Sequence, residues 1–140
     1  MAETHSAAAM PITMLTGGAV ARVAPDADLH RLADALVEAG VGALVIGDGD
    51  TAEAIVSERD LVVALAERRD PGATTVAEIA HDTLVWCDTE APVAEVAEQM
   101  MEHYVRHVLV EQDGKLVGIV SARDLLGVYA GEDVPEPLDD

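Results

Sequence analysis

The chain repeats itself. Ala54-Ile55-Val56-Ser57-Glu58-Arg59-Asp60-Leu61 returns 64 residues later as Gly118-Ile119-Val120-Ser121-Ala122-Arg123-Asp124-Leu125. The same offset puts Ala33 on Ala97, Glu38 on Glu102, and Leu44-Val45-Ile46 on Val108-Leu109-Val110. A register held without gaps over about 45 residues marks a structural unit used twice. With 140 residues in all, each unit is too small to bury an adequate core alone, so the two are expected to pack together.

Both units follow one order: strand, helix, strand, strand, helix. Val20 to Val23 and Leu84 to Cys87 are short apolar runs and predict the opening strands. Leu29, Leu32, Ala33, Leu36 and Val37 then keep helical spacing, as do Val93, Val96, Ala97, Met100 and Met101. Asp28 is a candidate N-cap and Gly40 a left-handed stop for the first of these helices. Strands at Ala43–Ile46 and His107–Glu111 lead into turns at Gly47-Asp48-Gly49-Asp50 and Gln112-Asp113-Gly114-Lys115, both rich in residues that accept positive φ. Return strands cover about Glu53–Val56 and Leu116–Val120, and a helix opens at Ser57 or Ser121. The fold class is mixed α/β. Residues 1–11 are expected to be flexible, 12–70 to form the first unit, 71–130 the second, and 131–140, with Pro135, Pro137 and five acidic residues, a disordered tail.

Charge and composition exclude several functions. Acidic residues number 27 against 8 basic ones, a formal charge of -19. Nucleic-acid binding needs clustered Lys and Arg, and anionic membranes repel such a surface. No apolar run approaches the roughly 20 residues of a membrane span, and residues 1–11 do not have the pattern of a signal peptide. Cys87 is the single cysteine, which excludes an internal disulfide and suits a reducing cytoplasm. With Trp86, Tyr104 and Tyr129 as the only aromatics, the core must be aliphatic.

The pattern glycine, two apolar residues, Ser or Thr, two variable residues and Asp, after a hairpin and opening a helix, resembles the CBS motif, named for cystathionine beta-synthase. Gly118 to Asp124 fits it fully; Ala54 to Asp60 departs only at Ala54. Two motifs in tandem resemble a Bateman module, here a stand-alone one covering about Ile12 to Tyr129. The resemblance implies two motifs packed with pseudo-two-fold symmetry and paired into a homodimer. It implies a non-catalytic regulatory module that senses an adenosine-containing ligand of the AMP, ATP or S-adenosylmethionine type in the cleft between the motifs. No required cofactor is implied, and a regulated protein partner is.

The residues themselves support that chemistry. A serine at a helix N-terminus offers its hydroxyl beside unpaired N–H groups, which suits phosphate. An aspartate one turn on can accept ribose hydroxyls. The first half-site would use Ser57, Arg59 and Asp60, the second Ser121, Arg123 and Asp124. Ser-x-x-Asp is equally a capping box that only starts a helix, and the two roles are compatible. Arg106 and His107 add positive charge to the second half-site, where the first has Gly42, Ala43 and Glu58. Arg22 and Trp86 occupy matching positions: Arg22 either reaches a phosphate or ends a strand in solvent, and Trp86 either stacks on a purine or packs. His103 and His107 are four apart but share no helix face; His81, Cys87 and His103 together could offer three ligands, and packing is the favoured reading, so no metal is assigned. The alternative function is a ligand-free dimeric interaction scaffold. The charge favours AMP or cationic S-adenosylmethionine over ATP.

Overall fold

The computed structural model describes residues 6–17 and 19–133. Two short 3-10 turns, Ala7–Ala9 and Ile12–Leu15, precede α1 (Leu29–Ala39), β1 (Ala43–Ile46), β2 (Ala54–Ser57), α2 (Glu58–Ala66) and α3 (Val76–Ile79). The second repeat supplies β3 (Trp86–Asp88), α4 (Val93–His103), β4 (His107–Gln112), β5 (Lys115–Ser121) and α5 (Ala122–Asp133). The tail expected to be disordered lies outside the described residues from 134 onward; its first residues, 131–133, complete α5.

The expected local signals act as anticipated at several points. The Asp28 carboxylate accepts from Arg31 N at 2.8 Å and starts α1, and Gly40 ends it at φ 66°. β1 and β2 pair antiparallel with Ala43 opposite Ser57. β3 runs parallel to β4, which sits between β3 and β5. Asp113 and Gly114 both take positive φ, as the tight hairpin turn between β4 and β5 requires.

The repeat is most evident in what is buried. One core holds Val23, Leu29, Leu32, Leu36, Leu44, Ile46 and Val56; the other holds Cys87, Val93, Val96, Met100, Val108, Val110 and Val120. Each residue of the first set lies 64 positions before its counterpart in the second.

Two features differ from the sequence reading. The opening strand of the first repeat shrinks to a single parallel bridge, Arg22 opposite Val45, with Val23 N donating to the Val45 carbonyl and Val45 N to that of Ala21. Compactness also groups residues across the two repeats. Residues 19–84 and 113–117 form one unit; 6–17, 85–112 and 118–133 form the other. The segment ahead of each repeat therefore packs on the core of the other repeat. Ile12 N donates to the Ala91 carbonyl at 2.7 Å and Thr13 N to that of Thr89 at 3.0 Å. Shifted by the same 64 positions with the units exchanged, Val76 N donates to Ala27 at 2.8 Å and Ala77 N to Pro25 at 2.9 Å. Ile12 and Val76 are both 0% exposed. Residues 6–11, expected to be flexible, include a 3-10 turn whose Ala7 is buried and whose Met10 carbonyl accepts from Val93 N.

This exchange explains the one departure from the repeated motif. A Cβ built on Gly118 would lie 2.8 Å from both Cβ and Cγ2 of Thr16, a stiff β-branched side chain. The residue 64 positions after Thr16 is Ala80, and there the motif carries Ala54; both alanines pack against the first core. Gly118→Ala should cost about 1–3 kcal/mol through overpacking, and most of that should return in Thr16→Gly/Gly118→Ala, which removes both clashing carbons. Chemical denaturation of the single and double variants checks the coupling; additive losses would contradict it.

Candidate functional site

In each repeat a buried strand, a hairpin and a helix start converge on the serine and aspartate of the motif. β1 is buried along its length, which fixes Gly42 at its mouth. Glu58 N, in the first turn of α2, donates to the Gly42 carbonyl at 2.9 Å. The matching bond in the second repeat runs from Ala122 N to the Arg106 carbonyl at 2.8 Å. Arg106 and His107 are thus brought beside the start of α5, as Gly42 and Ala43 are beside α2. Arg106 and Arg123 are exposed, His107 is half-buried, and Arg59 is exposed on the first turn of α2.

Both motifs form reciprocal caps. Ser57 N and Oγ donate to Asp60 Oδ2 at 2.8 and 2.9 Å, and Ser57 Oγ accepts from Asp60 N at 3.2 Å. Ser121 N donates to Asp124 Oδ2 at 2.8 Å, and Asp124 N donates to Ser121 Oγ at 3.0 Å. The carboxylates differ in their surroundings. Asp60 Oδ1 contacts His81 Nε2, and the Asp60 side chain is only 12% exposed. Asp124 is exposed, and its cap uses the Oδ2 oxygen of the carboxylate.

The His81 contact went unrecognised in the sequence, where His81 figured only as a possible metal ligand. An antiparallel bridge to Ile55, with both N–H···O bonds at 2.9 Å, sets its position. Among the described residues no three His, Cys, Asp or Glu side chains gather in a metal-binding group, so His81, Cys87 and His103 are not brought together.

Arg22 is committed elsewhere. Its Nη1 donates to the Gly47 and Thr51 carbonyls at 2.6 and 2.8 Å, and its Nη2 to the Gly49 carbonyl at 2.6 Å. The guanidinium ties down the β1–β2 turn, where Gly47 has φ 142° and a Cβ would meet the Thr51 carbonyl. This use of three donors weighs against phosphate capture by Arg22. A cavity of about 340 Å³ opens beside it, lined by Val23, Pro25, Ile46, Asp48 and Glu53 among others, and Ser57 and Asp60 are not in its wall. Trp86 holds the matching place on β3, opposite Leu109; it is half-buried and its carbonyl accepts from Gln99 Nε2 at 3.1 Å.

Cys87 is buried in the second core. Burial pushes its thiol up from 9.0 to about 11, with Glu95, Asp88 and Glu111 adding to the effect. A neutral buried thiol is a poor nucleophile.

Residues 18–67 and 76–131 match the model of the CBS domain family, and the chain belongs to that family. Hypoxic response protein 1 of Mycobacterium tuberculosis is 37% identical over 99 residues, covering 69% of each chain. Its structure with two coordinated zinc ions superposes with a TM-score of 0.68 at 30% identity, over 90% of this chain and 100% of that one. A CBS-domain protein of Burkholderia ambifaria MC40-6 gives a TM-score of 0.82 at 26% identity, covering 92% of this chain and 100% of that one. A CBS domain protein from Pyrobaculum aerophilum complexed with AMP gives 0.72 at 30% identity, covering 87% and 99%. CBS pairs are regulatory modules rather than catalytic domains. Among the described residues no helix is long and apolar enough to cross a membrane.

Two outcomes follow from the geometry. Arg22→Ala should lower stability by about 1–3 kcal/mol, because it leaves turn carbonyls without their charged donor; a thermal melt within a few tenths of wild type would contradict the staple. Cys87 should resist a thiol reagent at pH 8 in the folded chain and react promptly in denaturant. Its folded pKa is raised, so its contribution to stability is complete below pH 9.0 and lost as pH rises toward about 11. Cys87→Val should flatten that alkaline loss in melts recorded across the same window.

Proposed function

We propose that this chain is a non-catalytic cytoplasmic sensor of an adenosine-containing ligand, bound principally at the half-site of Ser121, Arg123 and Asp124. The observation that carries the reading is the second reciprocal cap, which leaves an exposed carboxylate on the first turn of α5, whose start is bonded to the Arg106 carbonyl. The capping bonds hold the Asp124 carboxylate in place, so ribose hydroxyls would meet a preorganised acceptor. Arg106 and Arg123 would balance a phosphate. The AMP complex of the Pyrobaculum aerophilum relative supports the ligand class. With a formal charge of -19, AMP or cationic S-adenosylmethionine costs less to bind than ATP. The zinc of the hypoxic response protein is not carried over, because among the described residues no three His, Cys, Asp or Glu side chains gather into a cation site.

The reading includes a homodimer and a regulated protein partner, with no nucleic acid and no membrane. Val62, Val63 and Leu65 leave α2 with apolar side chains 62%, 43% and 43% exposed, more than a solvated helix carries to advantage. A second copy covering that face would bury them. Light scattering at moderate salt should report a dimer, and Val62→Glu should shift it toward monomer. A wild-type monomer at micromolar concentration would count against the dimer.

Calorimetric titration with AMP tests the ligand. Asp124→Ala should weaken binding roughly 10- to 100-fold, the loss of a charge-assisted hydrogen bond, and Asp60→Ala should do much less. If Asp124 serves only as a cap, its loss should lower stability by about 1 kcal/mol and leave affinity unchanged. Failure of AMP, ATP and S-adenosylmethionine to bind would favour the alternative of a ligand-free scaffold.

A further inference from the structure

The two half-sites share a backbone and differ in one added side chain. His81 is held opposite Ile55 by a pair of backbone hydrogen bonds of 2.9 Å, so its ring has a fixed point of departure. From there Nε2 meets Asp60 Oδ1, while Oδ2 of the same carboxylate is engaged by Ser57 N and Oγ. Both oxygens of Asp60 are therefore engaged, and the side chain is 12% exposed beneath a histidine that is itself 61% exposed. In the second repeat the position 64 residues before His81 is Gly17, which has no side chain to offer, and Asp124 is exposed.

We infer that His81 is an autoinhibitory latch on the first half-site: its imidazole occupies the Asp60 oxygen that a ribose would require, so the chain takes one adenosine ligand and leaves the other half-site closed. The inference rests on the adenosine reading proposed above and specifies which half-site is open. An incoming ribose hydroxyl must displace a hydrogen bond to a largely buried carboxylate. Such an exchange is worth about 10- to 100-fold in affinity when the bond is charge-assisted. The histidine ring is mostly in solvent, so it buries little apolar surface of its own. The latch thus sets occupancy without adding to the core.

Calorimetric titration with AMP, paired with native mass spectrometry, reads the stoichiometry. The wild type should bind one AMP per chain, in a manner sensitive to Asp124→Ala and indifferent to Asp60→Asn. His81→Ala should gain a second AMP per chain, with affinity at the new site raised at least about tenfold over wild type. His81→Ala/Asp60→Asn should return to one. His81→Gly, which copies Gly17, should behave as His81→Ala does, and melting curves of all variants verify folding. One AMP per chain in both His81 variants would overturn the latch and leave the adenosine reading standing. Two AMP per chain in the wild type, with one lost in Asp60→Asn, would also overturn it. No binding of AMP, ATP or S-adenosylmethionine by the wild type or by His81→Ala would overturn the adenosine reading and the latch together.

Discussion

The central strand of each unit is the constraint on which the remainder depends. Ala43-Leu44-Val45-Ile46 is buried at every position, and Val108-Leu109-Val110 is buried in the same way. A strand enclosed on both faces must have its backbone groups satisfied from both edges. β2 supplies one edge of β1, and the bridge at Arg22 supplies the other. β5 and β3 do the same for β4. Once those strands are fixed, the hairpins return to fixed points, and each following helix starts where its serine and aspartate can cap one another. With no phenylalanine and few other aromatics, the surrounding space is filled by branched aliphatic side chains, which tolerate the 64-residue substitution of one core for the other.

The two caps differ at positions outside that shared frame. The capping bonds differ by no more than a few tenths of an ångström between repeats. What varies is the local supply of charge. Arg106 and His107 border one cap, whereas Gly42 and Ala43 border the other, with His81 engaging the aspartate there. Differences at a few border positions change the charge around each cap without disturbing either core.

Much of this was legible in the sequence, for a definite reason. The core pairs such as Leu32 with Val96 and Ile46 with Val110 could be read because periodicity and offset both report burial. Asp28 and Gly40 could be read because caps are local. The exchange of leading segments could not. Pro11-Ile12-Thr13 and Thr75-Val76-Ala77 share little beyond one branched apolar residue, and their hydrogen bonds join distant parts of the chain. Arg22 was legible as a position but not as a role, since its acceptors are carbonyls of a turn 25 to 29 residues away. The link from His81 to Asp60 spans 21 residues and rests on a bridge that no alternation of polar and apolar residues announces.

The exchanged leading segments also bear on synthesis. Ile12 is synthesised well before Ala91, whose carbonyl receives its N–H. The first core closes only when Val76 has been made, and the second only when the last helix has. Because loop closure precedes the contacts that reward it, such non-local pairing slows the late stages of folding. A nascent chain halted between the repeats would hold a nearly finished first core and an isoleucine with nothing to bury it. Completion of the second core is therefore coupled to synthesis of the second repeat, and a chain stopped before it presents apolar surface that the finished fold covers.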